Sequence, residues 1–181
     1  DWDNYLADLE NSKRTLWREH VSKADHLADQ AGYSDLRGIR TYMAHTDRLM
    51  QHAFTADYEM ADILSEKAFK LMEERKRHNL DTPPNLKSRI YKARGDVKSQ
   101  RSEPEEARKF YELALPEALN DKVGGLAGPI AVSLVEGHLQ NADAASAVKV
   151  FQTLRGDDQD TANWVAQTAA IRLDYTDPNL P

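Results

Sequence analysis

The sequence predicts an all-α protein of about eight helices, stacked as antiparallel helical hairpins. Val, Ile and Thr are sparse in its 181 residues, whereas Ala, Leu, Glu, Lys, Gln and Arg, which favour helices, are abundant. Apolar residues recur at steps of three to five, which is the spacing of one helix face. A chain of this length has room for a real core, so we predict a single helical domain over residues 1–181.

The composition argues against several classes of function. The net charge of −6 disfavours nucleic acid as a partner. No apolar run approaches the roughly 18 residues that a membrane span requires, so no span is predicted. The absence of cysteine excludes disulfides, thiolate catalysis and Cys-ligated zinc. The sequence also starts at Asp1 without Met, which leads us to expect a bacterial exported protein whose leader has been removed.

The front part of the chain, residues 1–80, is predicted to hold three helices. They cover residues 2–31, about 35–53 and about 56–78, according to the apolar spacing. Gly32 supplies a stop after the first helix, because glycine suits the position just past a helix end.

Short polar side chains are predicted to cap the second and third helices. Ser34 or Asp35 precedes the second helix and Thr55 precedes the third. Each side chain can accept a hydrogen bond from an amide of the first helical turn.

The sequence Asp81-Thr82-Pro83-Pro84 is the clearest break in the chain. Proline stops one helix and has the backbone angle of the first turn of the next, and Thr82 is predicted to cap that helix. The break is short and no low-complexity sequence follows it. It therefore predicts a loop between helices rather than a linker.

The back part, residues 83–174, is predicted to form two hairpins and a final helix. Ser102 and Glu105 form an S-x-x-E capping box that starts the second helix of the first hairpin. An acidic loop is predicted at residues 156–160, where Asp160 caps the final helix. The remaining predicted helices cover residues 129–139, 143–155 and 161–173.

One stretch in the first hairpin has a specific spacing. Glycine would let the second helix cross close to the first, and a small alanine suits the point where they touch. Two further residues continue the same face of the second helix. The marker residues, at intervals of four, twelve, four and three, are Tyr91, Gly95, Ala107, Tyr111 and Ala114.

A second copy of this spacing is predicted in the next hairpin. Ala147 and Phe151 repeat the four-residue step of the first copy. Gly137 is predicted to take the place of the glycine, ten residues before Ala147 rather than twelve. The turn between these two helices must therefore be tight.

These markers resemble the tetratricopeptide repeat (TPR), a unit of about 34 residues that runs aromatic, Leu-Gly, then Ala-x3-aromatic. The chain departs from that pattern at Arg94, Lys98 and Pro116. Ala61 and Ala68 resemble the small residues of a degenerate further copy. The resemblance implies a short TPR-like superhelix whose last helix acts as a cap.

In TPR proteins, the first helix of each hairpin lines a concave groove that binds peptides or proteins. The resemblance implies that Arg89 and Lys92 receive a partner carboxylate, although a solvated helix face is the alternative. Asp96 stands where the family's carboxylate-clamp members have Asn, so binding of chaperone tails is not implied. The residues at groove positions are Arg89, Lys92, Asp96, Ser99, Gln100 and His138.

A small-molecule or metal site in the front part is an alternative of a different class. It would involve Tyr42, His45, His52 and Tyr58, since the two histidines are seven residues apart on one helix. The sequence contains no H-E-x-x-H, no paired Glu-x-x-His and no G-x-S-x-G. We therefore predict no catalytic residue, no metal and no cofactor.

The sequence as a whole predicts a non-enzymatic scaffold or adaptor that binds a protein or peptide. A further alternative is an oligomerisation module that forms a homodimer through its first or last helix. The first helix is our candidate for that surface because it carries Trp2, Tyr5 and Trp17.

Overall fold

Eight helices occupy the residues that this computed structural model describes, which are 2–51, 57–121, 125–157 and 159–176. No strand occurs within those ranges, and the prediction of an all-α protein is confirmed. The side chains of Trp2, Tyr5 and Trp17 lie outside the described part of the chain. The helices are α1 (Trp2–Ala31), α2 (Leu36–Gln51), α3 (Tyr58–Arg77), α4 (Pro84–Gln100), α5 (Pro104–Asn120), α6 (Ala127–Gln140), α7 (Ala144–Asp157) and α8 (Gln159–Thr176).

Most of the predicted helix boundaries agree with the structure to within two or three residues, but the acidic loop does not. α7 continues to Asp157 and α8 already begins at Gln159. Asp160 therefore lies in the first turn of α8 and is not its cap, so the predicted loop is wrong. Its carboxylate still has the sign that favours the start of a helix.

The predicted cap of α2 is confirmed, whereas that of α3 is wrong. The Arg37 amide donates to Asp35 Oδ1 over 2.8 Å, so Asp35 caps α2. α3 begins after Asp57, whose Oδ1 accepts from the Met60 amide over 3.0 Å. Thr55, the predicted cap, lies outside the described residues.

The predicted caps of α4 and α5 are also wrong. Ser102 has φ +61°, and its amide donates to the Ser99 carbonyl over 3.1 Å. Ser102 therefore belongs to the turn that ends α4. Glu103 directly precedes α5, and its side chain makes no capping hydrogen bond. α4 likewise follows Pro83, again without a side-chain cap bond, while Thr82 is buried.

The chain divides into two compact units. The first unit is Asp1–Pro83 with Asp96–Ser102, and the second is Pro84–Gly95 with Glu103–Pro181. The predicted break at residues 81–84 coincides with the first of these boundaries, while the second falls inside α4. A single domain over the whole chain stays a prediction.

Helices α1, α2 and α3 pack consecutively in the first unit. The approach of α1 and α2 is close at Gly38, where an added Cβ would lie 3.0 Å from the Ala28 carbonyl oxygen. Much of the apolar face of these helices is buried in this packing, although Leu16 and Leu27 of α1 and Ile63 of α3 are exposed. The buried residues include Val21, Ala28, Ile39, Tyr42, Met43, Leu64, Ala61 and Ala68.

Helix α6 is the centre of the second unit because it packs against α5, α7 and α8. It is apolar on nearly every side, which is typical of a helix surrounded by others. Its buried residues include Ile130, Ala131, Val132, Leu134 and Val135.

The first copy of the repeat spacing has the packing that was predicted for it. A Cβ added at Gly95 would lie 2.5 Å from Tyr111 Cε1, so only glycine allows α4 and α5 to approach this closely. Ala107, Tyr111 and Ala114 are all buried in the core of the second unit. Consecutive helices thus pack in a helical-repeat-like arrangement.

The second copy was predicted with the wrong residue. A Cβ at Gly137 would meet no atom within 4 Å, so this glycine makes no close helix crossing. The residue twelve positions before Ala147 is Val135, which is fully buried.

The packing also accommodates Arg94, at the position where the TPR pattern has leucine. Only 5% of Arg94 is exposed, and its guanidinium carbon lies 5.1 Å from the centroid of the Phe110 ring. An arginine stem packs well among apolar groups, and the charged end is attracted to the ring face.

Candidate binding surface and pocket

The predicted groove residues of α4 differ in exposure. Arg89, Ser99 and Gln100 are exposed, while Lys92 and Asp96 are half-buried. Because they are spaced three or four residues apart, most of them lie on one face of the helix. Arg89 and Lys92 belong to the second unit and the other three to the first, so a single groove through all five stays a prediction.

The last turn of α4 is anchored within the first unit by charged contacts. Lys98 Nζ lies 3.2 Å and an Arg101 guanidinium nitrogen 2.8 Å from the same oxygen of Asp62 in α3. Both Lys98 and Asp62 are mostly shielded from solvent, which strengthens their attraction. Ser99 and Gln100 are therefore displayed on a turn that is held in place.

His138 does not lie where a groove residue would be expected. The residue is only 6% exposed, and its Nδ1 is 3.5 Å from Asp143 Oδ2. Asp143 caps α7 by accepting from the Ser146 amide over 3.0 Å. Hydrogen bonds from the Ser146 side chain and amide, aided by His138, lower the pKa of Asp143. This burial does not fit a side chain that lines an open groove.

Tyr42, predicted for the alternative site in the front part, is buried and belongs to a polar network that reaches the surface at Asp29. Its hydroxyl donates to Asp29 Oδ1 over 2.6 Å. Lys67 Nζ lies 2.7 Å from both carboxylate oxygens of Asp25 and 3.6 Å from Asp29 Oδ2. Burial, followed by hydrogen bonds with Asp29 and Asp25, raises the pKa of Tyr42.

The histidines of that alternative site are not brought together in the described residues. His45 is half-buried on α2, and His52 lies outside the described part. Within residues 2–51, 57–121, 125–157 and 159–176, no group of three or more His, Asp or Glu is placed to hold a metal ion.

An open pocket of about 810 Å³ lies within the second unit. Ala118, Leu119 and Asp121 line it from the end of α5, and Gly128 lines it from the first turn of α6. The start of α8 contributes Asp160, Thr161 and Trp164. The pocket thus forms where three helix ends meet, and its walls are mainly apolar with two carboxylates.

Trp164 is the largest side chain of this pocket and is 47% exposed. A Cβ added at Gly128 would lie 2.9 Å from Trp164 Cζ3, so the glycine lets one edge of the indole pack closely on α6. Gly128 lies just before the helix predicted over residues 129–139, so this contact was not predicted. In the structure α6 begins earlier, at Ala127, and Gly128 lies in its first turn.

The helix ends around the pocket differ in polarity, because α5 presents its negative carbonyl end whereas α6 and α8 present their positive amide ends. α5 has no basic residue in its last turn, although the carbonyl end of a helix favours a positive charge. Asp121 follows directly, and its amide is held by the carbonyls of Glu117 and Ala118 at 3.2 Å each. The described residues that line the pocket include Asp121 and Asp160 but no Lys, Arg or His.

None of the described helices combines the length and apolar character that crossing a membrane requires. In comparisons with protein-family models, curated protein sequences and solved structures, nothing matched this chain. Any functional assignment therefore rests on the residues of the chain itself.

Proposed function

We propose that this chain is a non-enzymatic, TPR-type module that binds a protein or peptide. The observation that carries the proposal is the two-sided character of α4. Leu86, Ile90 and Ala93 are buried, whereas Arg89 is exposed and Lys92 is half-buried. A helix that packs through one face and offers basic groups on another is suited to receive a partner.

Arg89 and Lys92 are the residues that we propose for the contact with the partner. They lie three positions apart and so are neighbours on the helix surface. An arginine can bind a carboxylate through two parallel hydrogen bonds, and a lysine adds a point charge. A peptide with a free carboxylate is therefore the expected class of ligand.

The proposal is tested with a library of peptides that end in either a free carboxylate or an amide. We expect binders among the free carboxylates, and their affinity should fall at least about tenfold in the double variant Arg89→Gln/Lys92→Gln. A hydrogen bond to a charged group is worth about 1.5–3 kcal/mol, which corresponds to that loss. Fluorescence polarisation at low and high salt measures the affinity.

The matched control is Lys149→Gln/Arg155→Gln, which removes two exposed positive charges from α7 of the same unit. Its affinity should equal that of the unchanged protein. Equal binding by the Arg89/Lys92 variant would refute the assignment of these residues. A protein that sediments as a dimer and binds no peptide would instead favour the oligomerisation module.

A further inference from the structure

The outer side of α1 carries two strongly exposed leucines. Leu16 is 58% and Leu27 is 66% exposed, and no other large apolar side chain among the described residues is as exposed. The two are eleven residues apart, which is about three turns of an α-helix, so they lie on the same side of α1. Val21 and Ala28 of this helix are buried in the first unit. The exposed leucines therefore belong to a different face of α1, which the packing of the first unit leaves uncovered.

Two opposite charges lie between these leucines. Glu19 follows Leu16 by three residues, and Lys23 precedes Leu27 by four. The helical period places both charges on the same flank of the line that joins the leucines. Glu19 and Lys23 are exposed, and neither forms an ion pair with another described residue. This outer strip of α1, formed by Leu16, Glu19, Lys23 and Leu27, thus has its acidic group near one end and its basic group near the other.

The outer strip is complementary to a second copy of itself that runs in the opposite direction. In a two-fold contact, residue i of one copy meets residue j of the other, and j meets i. When Leu16 lies opposite Leu27 of the second copy, Glu19 comes within one residue of the position opposite Lys23 of that copy. Both contacts occur twice. A parallel copy would pair the leucines too, but the charged flanks would then lie on opposite sides of the contact.

We propose that two copies of this chain bind each other through the outer strip of α1, as an antiparallel helix pair. Leu16 of each copy packs against Leu27 of the other, and Glu19 of each pairs with Lys23 of the other. A contact between one helix of each copy is smaller than the standard interface of about 1,600 Å². We therefore expect a weak dimer, with a dissociation constant of roughly 1–100 µM.

This inference goes beyond the proposed function and does not rest on it. Peptide binding is proposed for Arg89 and Lys92 of α4, which are not part of the outer strip. The aromatic residues that favoured the first helix as an oligomer surface in the sequence analysis are not part of the strip either.

The test is sedimentation equilibrium at protein concentrations up to about 500 µM, well above the expected dissociation constant. Measurement at about pH 8 keeps His20, which lies between the leucines in the sequence, uncharged. The unchanged protein should dimerise. Glu19→Lys and Lys23→Glu should each weaken the dimer at least tenfold, because each variant sets two pairs of like charges against each other.

An equimolar mixture of these two variants should dimerise again with about the affinity of the unchanged protein. In the mixed dimer, the two lysines of Glu19→Lys meet the two glutamates of Lys23→Glu. Lys76→Glu is the matched control, because it makes the same change of charge at an exposed position of α3 in the same unit. It should dimerise normally by itself and should not restore the dimer when it is mixed with Glu19→Lys.

The apolar part of the contact is tested with Leu16→Ala/Leu27→Ala, which should also weaken the dimer at least tenfold. Both leucines are exposed in the single chain, so the variant should still fold, as circular dichroism verifies. Ile63→Ala is the matched control, because Ile63 is an exposed apolar residue of α3 in the same unit, and its loss should leave the dimer unchanged.

Several results would overturn the inference. One is an unchanged protein that stays monomeric at 500 µM, and another is a mixture of Glu19→Lys and Lys23→Glu that does not dimerise. A dimer of full strength in Glu19→Lys or in the double leucine variant would do the same. Restoration by Lys76→Glu would attribute the association to net charge rather than to the outer strip. None of these results involves peptide affinity, so this inference and the proposed function can fail separately.

Discussion

Both units have an apolar core, but among the described residues they differ in how far charged and polar groups connect separate helices. In the first unit, charged and polar groups join separate helices. Lys67 of α3 reaches Asp25 and Asp29 of α1, and the Tyr42 hydroxyl of α2 donates to Asp29. In the second unit, the described core is a continuous apolar cluster that runs through α5, α6, α7 and α8.

Arg75 shows how far the polar contacts of the first unit extend. This residue is 7% exposed, and its guanidinium donates to the carbonyls of Tyr33, Ser34 and Asp81 at 2.8–3.0 Å. One side chain of α3 thus fixes the loop before α2 and the loop before α4. In the second unit, Lys109 pairs with Glu106 inside α5, whereas Asn141 at the end of α6 donates a long hydrogen bond of 3.4 Å to Glu105 of α5.

The difference indicates which groups supply stability and which supply specificity. Burial of apolar area stabilises both units in proportion to the area removed from water. A directed pair such as Lys67 with Asp25 adds less net energy, since its charges lose hydration, but it can favour one arrangement of helices over others. The first unit should therefore respond more strongly to pH and salt, and the second to changes in core volume.

The largest effect should follow from the loss of core volume in the second unit. Leu134 is 2% exposed at the centre of α6, so Leu134→Ala should lower the free energy of unfolding by about 2–5 kcal/mol. Leu113→Ala is the matched control, because Leu113 is 49% exposed on α5 and the change there should stay below about 1 kcal/mol. Urea denaturation measures both.

Leu134→Ala should lower the free energy of unfolding by a similar amount at low and high salt, because the contacts of Leu134 are apolar. A loss that varied strongly with salt would show that charges also hold the second unit. An equal loss at Leu113 would show that the two sites do not differ in burial as described.

The next largest effect should come from a pair of glycines in the same unit. Gly95→Ala forces the added methyl group against the Tyr111 ring and should cost about 1–3 kcal/mol. Gly137→Ala meets no neighbour within 4 Å and should instead stabilise its helix by up to about 1 kcal/mol. The same substitution is thus expected to have opposite signs, as measured by urea denaturation. Equal effects would remove the evidence for a close crossing at Gly95.

These two glycines also show what the sequence can predict. Gly95 was placed correctly because its partner, Tyr111, belongs to the next helix and follows at a fixed interval. Gly137 was misplaced because its residue type matched, although it lies ten rather than twelve residues before Ala147 and an added Cβ there would meet no atom within 4 Å. The spacing of residues therefore predicted the helices and the close crossing at Gly95. Residue type alone gave the wrong position at Gly137.

Contacts between distant residues could not be predicted in this way. Lys67 and Asp25 are 42 positions apart, so no local pattern pairs them among the many charged residues of the chain. The pocket raises the same difficulty, because Asp121, Gly128 and Trp164 come from three different helix ends. Such sites depend on how helices are arranged, and the periodicity of each helix does not contain that information.

The smallest of the three stability effects should come from Tyr42→Phe in the first unit. Removing the hydroxyl deletes its hydrogen bond to Asp29, which should cost about 1–2 kcal/mol at neutral pH. The contribution of the hydroxyl to the free energy of unfolding should also depend on pH in the alkaline range. Burial and hydrogen bonds with Asp29 and Asp25 raise the pKa of Tyr42, so the folded state holds this proton more tightly than the unfolded state. The resulting stabilisation is complete below about pH 10 and is lost as the pH rises further.

Lys67 should also stabilise the folded state at neutral pH and lose that effect at alkaline pH. Desolvation lowers the pKa of Lys67, but its hydrogen bond with Asp25 and the charges of Asp25 and Asp29 more than offset this and leave it raised. Its stabilisation is likewise lost as the pH rises above about 10. Urea denaturation at about pH 8 and about pH 11 should show a clear loss in the unchanged protein and a smaller loss in Tyr42→Phe. Equal losses in the two proteins would show that the Tyr42 network does not cause the alkaline sensitivity, and the contrast between the units would then rest on Lys67 and Arg75.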